Sequence, residues 1–316
     1  MRPSRFFEHW LGPLIVLVSL VLLVAFILSR TTDRVIPRVV VYTSQDQVYA
    51  EPILKEFERQ TGIKVGAVYD SEAVKTVGLA NRLLAEKDHP QCDVFWNNEE
   101  LRTRQLDAKG VFEKWASFGY RSRRMVVNTN KLSLEQAPRS LIELTNEIWR
   151  GRVALAYPLF GTTATHFLAL RQHWGDERWQ AWCRALAANK PFLVDGNSVV
   201  VKLVGLGEAW LGLTDSDDIA AGQREGFPVA ALPLGEDSLL IPNTVAILRG
   251  APHSNAAEKL YQYLQRPVVA DNLVAVHALE CTATHGAATA TLKPDWDGLL
   301  RDLDVASGTL RAVFLR

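Results

Sequence analysis

Beyond residue 37 the chain alternates between short runs of β-branched apolar residues and longer stretches with apolar positions three and four apart. Residues 39–42 (VVVY) are apolar on both faces, the pattern of a strand in a sheet covered on both sides. The polar stretch 43–46 (TSQD) leads into a helix with Ile53, Leu54 and Phe57 on its apolar face. Pro52 is expected in its first turn and Gly62 at its end. Residues 63–68 predict a second strand, the segment from Asp70 a second helix, and 93–96 a third strand. Further strands are predicted at 124–128, 153–156 and 241–248. Helices are predicted from 161, over 255–264, and around Trp296, Leu299, Leu300 and Leu303. Polar groups recur at strand ends, Ser44 and Asp46 after the first strand and Asn97 after the third, where open α/β sheets hold ligands.

Ahead of this series, residues 11–28 read LGPLIVLVSLVLLVAFIL, eighteen positions without a charge, the lower end of a membrane span. Arg2 and Arg5 precede the run and no small-x-small cleavage site follows it. We therefore expect an uncleaved signal-anchor over 11–28, with residues 1–10 on the cytoplasmic side. Arg30, Arg34 and Arg38 on the far flank oppose the positive-inside rule, so export has to be argued from the domain that follows.

The 316 residues carry 35 basic and 35 acidic side chains, a balance that leaves no nucleic-acid footprint. Cys92, Cys183 and Cys281 are widely spaced, show no metal-ligand pattern, and read as buried small hydrophobes. Gly205, Gly207 and Gly212 do not join a strand to a helix, so they are not a dinucleotide fingerprint. Neither a G-x-S-x-G elbow nor an H-E-x-x-H pair occurs. Capture of a solute without turnover is expected, not enzyme chemistry.

Residues 212–218 (GLTDSDD) place Asp215, Asp217 and Asp218 within four positions after an apolar segment. They form a solvated turn or one wall of a cation site. Adjacent carboxylates point to different faces of a regular element, so Asp217 and Asp218 are expected on an irregular turn if they act together. Thr162 and Thr163, after Gly161 at a helix start, offer hydroxyls beside unpaired backbone N–H groups, a setting that favours anions.

The segments VVVYTSQDQVYAEPILKEFERQTGIKV, FGTTATH, GNSVVVKLVGLGEAWLGLTDSDD and IPNTVAILRGAPH resemble the extracellular solute-binding proteins of ABC importers. The likeness runs in order over residues 38–275, in the branch of ferric-ion, thiamine and aminoethylphosphonate binders. It implies an α/β, two-lobed type 2 periplasmic-binding-protein fold with two crossover strands, here 124–128 and 241–248, behind the N-terminal transmembrane helix. Residues 38–124 with 244–316 would form one lobe and 125–243 the other. Ferric binders use a His after the first strand, a Glu at the start of the second helix and a tandem Tyr pair. Asp46 and Glu72 match the first two positions, while Asp217 and Asp218 stand in place of the tyrosines. Asp215, Asn197 and the Gly161–Thr162–Thr163 turn fall where that family holds an anion.

With the strand-end residues Ser44 and Asn97, the resemblance gives a ligand set of Ser44, Asp46, Glu72, Asn97, Thr162, Thr163, Asn197, Asp215, Asp217 and Asp218. The four acids Asp46, Glu72, Asp217 and Asp218 are candidate metal ligands, a ferric ion included. Converging carboxylates raise one another's pKa values, and a hard cation or an organic ammonium would relieve this. The expected protein is a monomeric receptor, anchored in the cytoplasmic membrane and facing the periplasm. It would deliver a cationic or zwitterionic solute or metal ion to an ABC permease and ATPase. The alternatives are a solute-sensing extracellular domain and a receptor for an organophosphonate or phosphorylated solute.

Overall fold

The computed structural model describes residues 37–69, 77–282 and 292–315. The run 11–28 and Glu72 lie outside them. Among the described residues no helix is long and apolar enough to cross a membrane.

The chain begins β1 (Arg38–Thr43), α1 (Gln47–Thr61), β2 (Lys64–Tyr69), α2 (Val77–Ala85), β3 (Val94–Asn97) and α3 (Glu100–Ala108). β1 pairs in parallel with both β2 and β3. The Asp46 carbonyl accepts from the N–H groups of Tyr49 and Ala50 and starts α1 at Gln47. Pro52 consequently lies inside the helix instead of in its first turn. Gly62 ends α1 in the left-handed conformation (φ 70°), its N–H donating to the Glu58 carbonyl.

Next come β4 (Phe112–Asn128), β5 (Val153–Ala156), α4 (Gly161–Trp174), α5 (Asp176–Ala188), β6 (Phe192–Val194), α6 (Asn197–Gly205), β7 (Leu211–Asp215) and α7 (Ser216–Arg224). The chain closes with β8 (Val229–Leu232), β9 (Leu240–Leu248), α8 (Ser254–Leu264), α9 (Pro267–Ala275) and α10 (Trp296–Phe314). β4 is shared by two sheets. Its first part pairs antiparallel with β9, and residues 123–128 lie between β7 and β8. The expected crossover at 124–128 is thus the far end of a 17-residue strand. The expected crossover at 241–248 is an inner strand of the first sheet, between β3 and β4. Pro242 is tolerated there because it faces Tyr120 beside a register shift between Ser117 and Tyr120.

Period-two alternation distributes these strands' side chains to opposite faces. Val245 and Ile247 share a core with Val39, Val41 and Phe57, whereas Ala246 and Leu248 pack with Phe95 and Leu83. In the second lobe Met125 and Val127 face Leu155, Phe167 and Trp182, and Val126 faces Ala154, Val200 and Ile219. The last helix, expected in the first lobe, meets helices on both sides: Leu101 of α3 shares its core and the Arg104 guanidinium lies 5.4 Å from the Trp296 ring centre. Leu299, Leu303, Leu310 and Phe314 of α10 join the core of α4 and α5, with the Phe167 and Phe314 rings 6.0 Å apart. An amphipathic stripe announces a buried face but not the surface that receives it.

A candidate ligand-binding cleft

β5, β6 and β7 run parallel, so their carboxyl ends open on one side of the second sheet. Each is followed by a helix, and the starts of α4, α6 and α7 converge there. Unpaired N–H groups at such starts make a positive environment. Gly212 permits the convergence: a Cβ there would lie 2.5 Å from Val200 Cγ1 and 2.8 Å from the Ala154 carbonyl oxygen. Only a bare backbone lets α6 lie so close to β7.

A small cavity of about 60 Å³ opens at this point. Thr162, Thr163, Asn197, Asp215, Asp217 and Asp218 line it from the second lobe, and Asp46 and Asn98 from the first. Asp217 and Asp218 occupy the first turn of α7, which corrects the irregular turn expected for them. Both reach the cavity because the helix meets it end-on, so successive residues surround the same opening. Ser44 and Asn97 stand behind the wall. The Ser44 hydroxyl lies 2.6 Å from Asn97 Oδ1 and accepts the Asn98 N–H, while Asn97 Nδ2 donates to Thr103 Oγ1. They position Asn98 and do not line the cavity themselves.

Sequence reasoning passed over the cations of this site. Arg121 and Arg123 point to one face of β4, beside β7, and both are buried at 2% and 0% exposure. Arg123 Nη1 lies 2.7 Å from Asp215 Oδ1. Arg121 Nε is 3.2 Å from Asp215 Oδ2 and 3.5 Å from Asp217 Oδ1. Among the described residues Arg121 Nη1 has no hydrogen-bond partner, and the side chain lines the cavity. The signal was legible as R-S-R-R (121–124) directly before the apolar run 125–127 (MVV). Asn98, Tyr157 and Asp195 are further lining residues that carried no comparable mark.

Asp215 is held from several sides. Thr162 Oγ1 donates to its Oδ2 at 2.7 Å and Asn197 Nδ2 at 3.1 Å. Burial pushes its carboxyl up, but the charges of Arg123 and Arg121 outweigh this and hold it below the usual carboxylate range. Asp217 goes the other way. Burial, reinforced by Asp215 and Asp46 and opposed by Arg121, pushes it up to about 7. One oxygen from each of Asp215, Asp217 and Asp218 lies within 4.8 Å of the others. Arg121 and Arg123 relieve part of the mutual repulsion among them.

A family model for bacterial extracellular solute-binding proteins matches residues 37–273. The chain is 27% identical over 222 residues to the Fe(3+)-binding periplasmic protein of Serratia marcescens, a match spanning 64% of this chain and 63% of that protein. It is 24% identical over 285 residues to the major ferric iron-binding protein of Neisseria meningitidis, spanning 81% and 84%. Iron-bound HitA from Pseudomonas aeruginosa superposes with a TM-score of 0.77 at 19% identity, over 88% of this chain and 99% of that one. AfuA from Actinobacillus pleuropneumoniae, solved with fructose-6-phosphate bound, gives 0.75 at 19% identity with the same coverage. At these identities the solved structures establish the two-lobed fold alone. With residues 37–273 matched, the chain belongs to the bacterial extracellular solute-binding proteins.

Proposed function

We propose that this protein is the periplasmic receptor of an ABC importer and that its cleft captures a small organic solute carrying a phosphate or phosphonate group. The observation that carries this reading is Arg121, fixed between Asp215 and Asp217 with Nη1 unpartnered where three helix starts meet. An anionic group seated there takes backbone N–H groups, the hydroxyls of Thr162 and Thr163, and the Arg121 guanidinium. Asp46, Asp217 and Asp218 accept from hydroxyl or ammonium donors on the rest of the solute. The uncharged run 11–28 is the proposed tether to the cytoplasmic membrane.

A ferric ion as cargo is the second reading, favoured by the proximity of Asp215, Asp217 and Asp218. Two features weigh against it. No tandem phenolate stands at 217–218, and Asp215 is already paired with two guanidinium groups that repel a trivalent cation. Calorimetry on the purified full chain distinguishes the two, using fructose 6-phosphate, 2-aminoethylphosphonate, inorganic phosphate and ferric citrate. Binding of a phosphorylated compound is expected. Tight uptake of ferric ion with no response to any phosphorus compound would overturn the proposal.

A further inference from the structure

Arg123 does not line the cleft, yet it touches the start of every helix that does. Its Nη1 lies 2.7 Å from Asp215 Oδ1, 3.1 Å from Asn197 Oδ1 and 3.4 Å from Thr162 Oγ1. Asp215 is the N-cap of α7, Asn197 opens α6, and Thr162 is the second residue of α4. None of the N-cap residues Phe160, Gly196 and Asp215 makes a side-chain capping bond, so the three helix starts lack the usual local means of fixing themselves. They are tied to one another instead. Asn197 Nδ2 donates to Thr162 Oγ1 at 2.9 Å as well as to Asp215, and Thr163 Oγ1 donates to Asn197 Oδ1 at 3.3 Å. Arg123 completes this ring from a neighbouring strand, wholly enclosed by protein.

That the ring serves a ligand is supported independently by Arg121. Two positions away on the same face of β4, it is nine-tenths buried or more, lines the cavity, and among the described residues has no hydrogen-bond partner for its Nη1. The two arginines divide the work: Arg121 meets the solute, and Arg123 sits one layer deeper.

We infer that Arg123 is the positioning residue of the cleft: through Asp215, Thr162 and Asn197 it sets the mutual geometry of the three helix starts that receive the solute's anionic group, an inference resting on the anion-receiving reading of the cleft. All three contacts come from Nη1, while among the described residues Nε and Nη2 have no hydrogen-bond partner, so Arg123 acts through its permanent charge and one rigidly placed NH2 group. Small displacements of such donors weaken recognition steeply, since each N–H must aim at one oxygen.

Arg123→Met and Arg123→Lys test the inference in the full chain. Methionine keeps much of the length and removes both the charge and the Nη1 donor; lysine keeps the charge. Two readouts are taken, amide hydrogen exchange across the first hydrogen-bonded turns, residues 164–166, 200–202 and 219–221, and calorimetric affinity for inorganic phosphate. In Arg123→Met, exchange at all three helix starts is expected to quicken by about tenfold or more while residues 167–170 keep their protection. Phosphate affinity is expected to fall by about thirtyfold or more. Lysine should restore part of both. Unchanged exchange and affinity in Arg123→Met, or a uniform loss of protection across the second lobe that lysine does not mend, would overturn the inference. If the methionine variant does not fold, Arg123→Lys against wild type decides, with local quickening supporting the inference and its absence overturning it. Wild type that ignores phosphate refutes the anion reading alone; the exchange pattern still decides the role of Arg123.

Discussion

The Thr165 hydroxyl donates to Glu99 Oε1 at 2.6 Å, a contact between α4 of the second lobe and the cap of α3 in the first. Glu99 is enclosed by protein and also accepts the N–H groups of Leu101 and Arg102. Burial pushes its carboxyl up, against the pull of these hydrogen bonds. Together the two residues join the lobes at a place where water cannot substitute for either partner.

Thr165→Val should therefore cost about 1–2 kcal/mol of stability, because it strips one donor from a buried carboxylate. Thr309→Val, on the exposed side of α10, should change stability by less than about 0.5 kcal/mol. Urea unfolding of both variants checks the contrast. Equal midpoints would mean that Glu99 finds another donor.

Asp217 makes stability depend on pH. Its folded pKa of about 7 lies above the ordinary 3.8, so the folded state holds the proton more tightly than the unfolded chain. The stabilisation is fully present below 3.8 and is lost as pH rises through about 7. Asp217→Asn removes this loss. The variant should melt roughly 3 °C or more above wild type at pH 8, with the gap closing toward pH 4. A gap that is independent of pH would show that Asp217 does not titrate in this window.

Gly212→Ala should destabilise by about 1–3 kcal/mol, since the added Cβ meets the Ala154 carbonyl, a backbone atom that cannot turn aside. It should also weaken solute binding, because α6 carries Asn197 and would be pushed off β7. Gly308→Ala, within α10 and with nothing near its added Cβ, should stabilise by about 0.5–1 kcal/mol. Chemical denaturation of the pair measures both signs.

Phe314→Ala should cost about 3 kcal/mol by removing the ring that packs on Phe167. The loss should appear as weakened exchange protection in α4 and α5, with α8 unaffected. Loss confined to α8 would return the C-terminal helix to the first lobe.

The sequence by itself determined the alternation of strands and helices, since periods of two and of three to four are local properties of neighbouring side chains. It also marked helix starts at Thr162 and Thr163 and gathered Asp215, Asp217 and Asp218 at one point of the chain. Through family resemblance it reached the two-lobed fold. Pairings between residues remote in the chain were decided only by the tertiary structure. Arg121 and Arg123 stand more than 90 positions from Asp215, and nothing local to either segment shows that β4 and β7 lie side by side. For the same reason the acidic run, which read as a solvated turn or one wall of a cation site, gave no sign of the two buried arginines that it meets. The C-terminal helix displays its apolar stripe in sequence, but hydrophobic attraction has no direction, and the choice of lobe was left to shape and connectivity.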